Sequence, residues 1–422
     1  MSTTDTHRAI DAVWRIESAR LIAGLARIVR DVGLAEELAQ DALVTALEKW
    51  PETGIPDNPG AWLMATAKHR ALDHFRRAKL LERKHEELGR ELKSQQEAAV
   101  ADFEFSEQGD IEDDLLRLVF VSCHPVLSTD ARVALTLRLL GGLTTTEIAR
   151  AYLVPEPTIA QRIVRAKRTL SDAKVPFEVP AVQDRAARLS SVIEVIYLIF
   201  NEGYSATAGS DWMRPDLCAD ALRLGRMLAE LAPNEAEVHG LVALMEIQSS
   251  RFAARTTPDG EPILLLEQNR ALWDQLLIRR GLAALERAQR LNVLGPYVLQ
   301  AAIAACHARA HAAEETDWPQ IAGLYAQLAA VAPSPIVQLN RAVAVAMASG
   351  ATAGLEIVDT LAAEPSLKNY HLLPAVRGDF LVKLGRFPEA QDEFARAASL
   401  TSNARERELL LTRARKAQHG ST

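Results

Sequence analysis

Apolar side chains recur every three or four positions along almost the whole chain, and no segment alternates convincingly between apolar and polar residues. Spacings of three and four place side chains on one face of an α-helix, whereas a half-buried strand alternates. Alanine, leucine, arginine and glutamate dominate these segments, and all four favour helix. The pattern therefore predicts an all-α protein.

Interruptions of this periodicity divide the chain into parts. In the first part, a helix from Leu34 to Trp50 is expected to end at Pro51, and a second helix is expected from Ala61 to about Arg83. A later stretch rich in Glu, Gln and Asp has no periodicity, and two prolines within 174–180 mark another boundary. The predicted parts are a helical domain (8–84), a linker (85–114), a second helical domain (115–173) and a long helical array (181–418).

The array contains spacings typical of a tetratricopeptide repeat, which is a helix–turn–helix unit of about 34 residues. Gly385 is followed at the expected offsets by Ala390, Phe394 and Ala397, and Gly350 stands 35 residues before Gly385 between two apolar segments. A single helix pair cannot bury its apolar face without neighbours. The pattern favours a repeat-like solenoid, with a generic helical bundle as the alternative.

The sharpest local signal is a helix-turn-helix. Thr144 and Glu147 form a capping box that starts one helix, and Pro155 and Pro157 separate it from the next. The second helix divides into two faces, and a helix with a basic outer face after a tight turn is how this motif enters the major groove of DNA. Its inner face comprises Ile159, Ile163, Ala166 and Leu170, and its outer face comprises Thr158, Gln161, Arg162, Arg165 and Arg168.

The charge is strongly clustered although the chain as a whole carries −7. Residues 68–84 carry +5, residues 85–114 carry −9, and residues 160–170 contain four cations and no acid. Two basic blocks joined by an acidic one suggest two DNA-facing surfaces on a tether. In the first basic block, Trp62, His69 and Arg76 share one stripe that could stack and hold unpaired bases, but a tryptophan in such a position is more often part of the core.

Composition and motif searches argue against several classes of protein. The chain has 422 residues, 48% of them hydrophobic, with no apolar run long enough for a membrane span and no apolar core of a signal peptide near its start. Three distant cysteines argue against a disulfide framework or a cysteine zinc site and fit the cytoplasm. No phosphate loop, dinucleotide fingerprint or nucleophile elbow is present, so we expect no enzyme, cofactor or metal.

Two groups of residues together resemble a known family. The first is Glu36-Glu37-Leu38-Ala39-Gln40-Asp41-Ala42, followed by Ala61-Trp62-Leu63 and by the basic helix through Lys68–Asp73; the second is the motif that ends in Gln161–Arg168. In this order and separation they are similar to the extracytoplasmic-function (ECF) sigma factors of the sigma-70 superfamily. The resemblance covers residues 8–84 as sigma domain 2, a helical bundle, and residues 112–173 as sigma domain 4.

The resemblance implies a promoter-specificity subunit of RNA polymerase. Domain 2 would bind the β′ clamp helices of the polymerase core and the minus-ten element, and domain 4 would meet the β flap and the minus-thirty-five element. His69 stands where the family usually has an Asn that helps hold a flipped base. The implied residues are Glu37, Leu38, Asp41 and Leu43 for the core; Trp62, Lys68, His69, Arg70, Arg76 and Arg77 for minus ten; and Thr158, Gln161, Arg162, Arg165, Lys167 and Arg168 for minus thirty-five.

Two interpretations are open for the linker, and two for the polar residues of the extension. The acids of the linker, among them Glu112–Asp114, would imitate RNA in the polymerase channel or would only solubilise a spacer. The motifs Asn201–Tyr204, Thr316–Trp318 and Leu339–Ala342 resemble the subgroup with a tetratricopeptide-like extension, which we expect to regulate activity in cis through a partner or an intramolecular contact. Glu202, Asp317 and Arg341 would line a ligand site or serve as caps and buried polar contacts.

The alternative function is a stand-alone helix-turn-helix regulator with a sensing domain. Such a regulator explains the motif and the array, but it leaves residues 8–84 without a role. It would bind duplex DNA by itself, whereas a sigma factor binds weakly until it joins polymerase.

Overall fold

The computed structural model describes residues 3–86, 111–152, 154–205 and 212–418. Over these residues the chain is α-helical, and the β-structure found there is an isolated bridge between Thr256 and Pro262. This confirms the all-α prediction. The contacts divide the chain into two compact units, Met1–Ile196 and Tyr197–Thr422.

The first unit contains both predicted DNA-facing helices. Helix α2 continues through Pro51 to Thr53 and ends at Gly54, whose φ of 84° suits a glycine, so the helix is longer than the sequence predicted. Its described helices are α1 (Thr3–Val29), α2 (Val32–Thr53), α3 (Pro59–Glu86), α4 (Ile111–Ser122), α5 (Thr129–Leu139), α6 (Thr145–Ala151), α7 (Glu156–Asp172) and the first part of α8 (Val182–Tyr204).

The ends of the predicted linker are helical. Helix α3 reaches Glu86 and α4 starts at Ile111, so residues 111–114 do not belong to a spacer. Asp114 is 3% exposed, and its carboxylate pairs with Arg27 at 2.9 Å and with Arg117 at 2.6 Å. The proposed RNA imitation by Asp114 is therefore wrong for this conformation. The rest of that hypothesis concerns residues 87–110, which lie outside the described residues.

The two sigma-like parts of the first unit pack against each other. Besides the Arg27–Asp114 pair, Arg15 of α1 contacts Glu147 of α6 at 2.8 Å. The turn before α6 also approaches α1, because a Cβ on Gly142 would lie 2.9 Å from the Ser18 hydroxyl, and the φ of Gly142 is 70°. The domains that the sequence predicts as separate pieces thus form one compact body.

The second unit is built from helix pairs joined by short turns. Gly350 and Gly385 lie between paired helices with φ of 100° and 75°, and Ala390, Phe394 and Ala397 are buried, as the spacing predicted. The described helices after α8 are α9 (Pro215–Leu231), α10 (Ala236–Ser249), α11 (Gln275–Arg290), α12 (Pro296–Arg309), α13 (Trp318–Val331), α14 (Pro335–Ser349), α15 (Ala351–Leu361), α16 (Leu372–Lys383), α17 (Phe387–Leu400) and α18 (Ala404–Gln418).

Helix α8 contributes to both units. In the first unit, the Ser191 hydroxyl donates to the carbonyl of Cys123 at 3.0 Å, and Arg188 donates to that of Phe120 at 3.0 Å. In the second unit, the Tyr204 hydroxyl donates to Gln248 at 2.7 Å. The boundary between the compact units therefore falls inside a helix and not at the predicted break at 174–180.

Candidate nucleic-acid and polymerase interfaces

The helix-turn-helix forms as the sequence predicted. The amide of Thr144 donates to Oε2 of Glu147 at 2.7 Å, and the amide of Glu147 donates to the Thr144 hydroxyl at 3.1 Å. Burial alone would raise the pKa of Glu147, but the hydrogen bonds from Thr144 and the ion pair with Arg15 outweigh it, so the pKa lies below its ordinary value. The capping carboxylate is therefore charged at neutral pH and holds the start of α6.

Helix α7 separates into the two predicted faces. Ile159, Ile163, Ala166 and Leu170 are buried, whereas Gln161 and Arg165 are exposed and Thr158 is half-buried. Two arginines of the outer face contact carboxylates of their own surface: Arg162 with Asp130 of α5 at 3.0 Å and Arg168 with Asp172 at 3.4 Å. These are exposed pairs of small net energy, so both guanidiniums can exchange to phosphate.

Lys167 does not share this face. At 100° per residue it lies about 200° around the helix from Arg165, toward the side that faces α2. Its ammonium pairs with Oε2 of Glu36, and its side chain is only 20% exposed. The prediction that Lys167 contacts the minus-thirty-five element is therefore not supported by its position in this conformation.

Glu36 is the centre of a buried ionic cluster. Glu36 is 2% exposed. Its Oε1 accepts from Nε of Arg138 at 2.6 Å and from the side-chain amide of Gln40, and its Oε2 pairs with the ammonium of Lys167. Arg138 also donates to the carbonyl of Leu143 at 3.1 Å. One carboxylate on α2 thus holds α5 and α7 of the other sigma-like part.

Glu36 belongs to the first family motif, but the motif gave it no role of its own. A signal was present, because Glu36 precedes the buried Ala39 and Ala46 by three and ten residues, which places it on the same face of α2. A carboxylate on an apolar, buried face is normally paired with a cation, because an unpaired buried charge is unstable. The pattern could not show which cation that was.

The residues implied in polymerase binding are only partly at the surface. Glu37 and Asp41 are exposed on α2, and Leu43 is half-buried. Leu38 is 4% exposed and belongs to the core of the first unit. The surface that Glu37 and Asp41 form on α2 is therefore acidic, and Leu43 lies on a different face of the helix.

Helix α3 presents its polar residues to solvent. His69 is exposed with Nδ1 2.7 Å from the carbonyl of Ala65, Arg70 lies 3.5 Å from the Thr45 hydroxyl, and Arg76 pairs loosely with Asp73 at 3.7 Å. Arg77 is exposed as well, and Lys68 is half-buried.

Trp62 at the start of α3 has a structural partner. It packs edge-on against the buried Trp50, with ring centroids 5.2 Å apart, and remains half-buried. This contact favours the core interpretation for one edge of the ring, while the cations about two and four helical turns away remain accessible.

Three residues of the extension that were candidates for a ligand site have structural roles. Glu202 pairs with Arg214, Asp317 caps α13 by accepting from the amide of Gln320 at 2.9 Å, and Arg341 donates to Gln338 at 3.1 Å. The alternative interpretation, caps and buried polar contacts, accounts for all three.

Comparison with known proteins assigns the parts of the chain. The family described as Sigma-70 region 2 matches residues 16–80, and that described as Sigma-70, region 4 matches residues 117–170. A family of unknown function, DUF6596, matches residues 188–289. Both basic helices thus lie in segments similar to the two conserved regions of sigma factors, in the same order.

Two relatives illustrate the match. The uncharacterized protein R00370 of Rhizobium meliloti (strain 1021) is 43% identical over 386 residues, which are 91% of this chain and 90% of that protein. The probable ECF RNA polymerase sigma factor SigI of Mycobacterium tuberculosis (strain ATCC 25618 / H37Rv) is 26% identical over 179 residues, 42% of this chain and 60% of SigI. No solved structure matches the chain significantly.

The chain belongs to the ECF sigma factors of the sigma-70 superfamily, with a C-terminal extension that includes the DUF6596 segment. It is an alternative sigma factor that directs transcription initiation, and RNA polymerase core and promoter DNA are its partners. A stand-alone regulator would leave residues 16–80 without a role, whereas the match to region 2 assigns them one. Sigma factors are not an enzyme family. Among the helices that the structure describes, none combines the length and apolarity that crossing a bilayer requires.

Proposed function

We propose that the outer face of α7 reads the minus-thirty-five element. The proposal rests on the exposure of Gln161 and Arg165 on a helix that follows a correctly capped turn. Arginine pairs bidentately with guanine and glutamine with adenine, whereas the remaining cations hold phosphates. Thr158, Arg162 and Arg168 complete the surface, and Lys167 is left out of it because its ammonium lies on Glu36.

The exposed cations of α3 are assigned to the minus-ten element. His69, Arg70, Arg76 and Arg77 lie on one solvent-facing side of a helix that Trp62 anchors to α2, with Lys68 half-buried beside them. Cations beside an accessible ring hold a single-stranded backbone and its unpaired bases. A histidine at position 69 offers ring nitrogens where the family usually has an amide, so its base preference is expected to differ.

Helix α2 is assigned to the polymerase core. Glu37 and Asp41 are exposed one turn apart, and such carboxylates suit a basic surface of the kind expected on the β′ clamp helices. The half-buried Leu43 supplies apolar contact from another face of α2, and Leu38 acts only by supporting the helix from the core. The part of the chain matched by region 4 would meet the β flap.

The compact first unit is proposed to be the form of the protein before it joins polymerase. Two promoter elements about two helical turns apart are ~70 Å apart on DNA. The Glu36 cluster instead ties the recognition helix to the polymerase-binding helix at hydrogen-bond distance. Binding of α2 to polymerase would compete with this packing and release α7, in the cytoplasm where polymerase acts.

The C-terminal extension is proposed to regulate this release in cis. Its support is the fusion of a second compact unit to a chain that already has both sigma regions. A truncation should keep all of α8, because Arg188 and Ser191 donate to the carbonyls of Phe120 and Cys123 and a cut at Pro180 would remove them.

The test is transcription in vitro with purified core polymerase on sheared genomic DNA, followed by sequencing of RNA 5′ ends. Discrete starts that share two upstream elements and require the protein support the proposal. Starts that shift when Arg165 is replaced, but not when the exposed Arg279 of α11 is replaced, assign α7. Absence of starts together with tight duplex binding without polymerase would contradict it. For the extension, a chain that ends after Tyr204 should change the yield or the promoter set, and identical transcription would refute regulation in cis.

A further inference from the structure

The second unit has a cavity of about 260 Å³, open to solvent beside the exposed Asn201 and Asn340, that the sigma function does not use. It lies between the last turns of α8 and helices α10, α12, α13 and α14. Its lining combines apolar residues, among them Phe200, Ile247 and Ile303, with several polar ones. Small-molecule sites combine such apolar residues with a few polar groups that orient the ligand, and this volume lies just below their usual range.

The polar residues of the lining include a cation and no carboxylate. Arg251 lines it, together with His307 and the amide side chains of Asn201 and Asn340, while none of the lining residues is Asp or Glu. The guanidinium of Arg251 donates from Nε to Gln268 at 3.1 Å and from one terminal nitrogen to Gln248 at 3.0 Å. Both acceptors are neutral amides, so the charge is oriented but not neutralised.

Two further arginines beside the cavity lack a carboxylate partner. Arg255, 5% exposed, donates to the carbonyl of Tyr204 and lies 3.6 Å from the centre of that ring. Arg270 donates to the carbonyls of His307 and Ala310 at 2.9 and 2.8 Å. Glu314 and Glu315 act on Arg270 only through space. Among the described residues, neither of these arginines nor Arg251 forms an ion pair.

His307 reports the positive field of this cluster. Burial, and after it the charges of Arg251 and Arg270, lower the pKa of His307 to about 4. Its Nδ1 is buried and has no hydrogen-bond partner among the described residues, and its ring packs edge-on against Trp318 with centroids 5.2 Å apart. A neutral imidazole beside unneutralised guanidiniums marks a site that is short of negative charge.

The motifs that the sigma function left unexplained meet at this cavity. Asn201 and Tyr204 come from the first motif of the extension and Asn340 from the third, and all three line the cavity. In the second motif, Thr316 accepts from Arg270 at 2.8 Å and Trp318 contacts His307. Segments far apart in the chain therefore supply residues that line the cavity or contact its lining.

We propose that this cavity binds a small organic carboxylate, whose charge lies on the Arg251 guanidinium and whose apolar body contacts Phe200, Ile247 and Ile303. Buried cations are normally paired, and a carboxylate matches the planar donors of arginine. The hydroxyls of Tyr197 and Tyr325, which make no hydrogen bond to another described residue, are available to the ligand from the same lining. Inorganic phosphate is disfavoured because it would leave the apolar residues uncovered.

The experiment titrates the full-length protein with phenylacetate, acetate, phenylacetamide and inorganic phosphate at equal ionic strength, by calorimetry and by the shift in melting temperature. Saturable binding of phenylacetate, weaker binding of acetate and none of phenylacetamide are expected, because charge and apolar body are both required. If phenylacetamide binds as well as phenylacetate, or if none of the carboxylates binds, the proposal is wrong. Binding of phosphate alone would overturn the assignment to a carboxylate.

Variants locate the site. Arg251→Gln should weaken phenylacetate binding on the order of 10- to 100-fold, the usual range for loss of a charged hydrogen bond, and Arg279→Gln on exposed α11 should not. Ala304→Leu places extra atoms in the cavity without touching the arginines, so it should abolish binding even if Arg251→Gln fails to fold. Equal binding by wild type and Ala304→Leu would contradict the proposal. Since polymerase is absent, these results are independent of the proposed promoter contacts.

Discussion

The Nε atom of Arg138 lies 2.6 Å from Oε1 of Glu36, although the two residues are 102 positions apart in the chain. This contact joins α5 of the region 4 segment to α2 of the region 2 segment. Both partners are largely excluded from solvent, with side chains 20% and 3% exposed. Removing one member of a buried ion pair leaves an uncompensated charge, so the contact lends itself to a direct test.

Replacement of Glu36 by Ala should loosen the packing of the first unit. Arg138 and Lys167 would both lose their buried counter-charge, at a cost of about 3 kcal/mol. Hydrogen exchange of peptides from α2 and α7 in the full-length protein measures this, and faster exchange is expected in both. Glu37→Ala is the matched control because Glu37 is the exposed neighbour. Equal exchange in both variants would remove the role assigned to Glu36.

Arg165 and Lys167 should differ in their effect on promoter choice. Arg165→Ala is expected to weaken minus-thirty-five recognition by ~1–3 kcal/mol if the side chain reads a base. Lys167→Ala should leave the base preference at the minus-thirty-five element unchanged, because the ammonium of Lys167 pairs with Glu36. Transcription with polymerase on templates with single base changes compares the two. Loss of discrimination in Lys167→Ala with none in Arg165→Ala would reverse the assignment.

Acid should destabilise the second unit through His307. Its pKa is about 4 when folded and has an ordinary value of 6.5, so between these values the unfolded chain binds a proton that the folded chain does not. The contribution of His307 to the free energy of unfolding is fully present above pH 6.5 and is lost as the pH drops toward 4, by about 2 kcal/mol between pH 7 and 5. Urea unfolding at both pH values measures it, with His307→Gln as the control that should lose this part of the dependence. The same loss in both proteins would assign the effect to other groups.

Two helical glycines of the second unit should respond oppositely to alanine. A Cβ on Gly354 would lie 2.5 Å from the Ala346 side chain and 2.8 Å from the carbonyl of Ala342, so Gly354→Ala should destabilise by about 1–3 kcal/mol. Gly323 of α13 has nothing within 4 Å of that position, so Gly323→Ala should stabilise by up to ~1 kcal/mol. Thermal unfolding of the full chain ranks the two. A destabilised Gly323→Ala would show that the packing around α13 is closer than described.

Local features of the sequence predicted most of the elements. The reciprocal bonds between Thr144 and Glu147 and the buried face of α7 follow from spacing and capping, which involve residues only three or four positions apart. The turn at Gly385 was predicted for the same reason. The prediction that α2 ends at Pro51 is wrong, because the helix continues to Thr53. Whether a proline ends a helix depends on how its surroundings accommodate the ring and the missing hydrogen bond.

The sequence by itself determined the all-α class, the helix-turn-helix, the two basic faces and the family, because these depend on periodicity, caps and motifs within short stretches. Only the tertiary structure decided which charges are buried. Glu36 is covered and Glu37 is not, Lys167 is paired and Arg165 is exposed, and Arg251 lines a cavity without a carboxylate. Each of these outcomes depends on which distant helix packs against the residue, and the free energy of burying a charge depends on that partner.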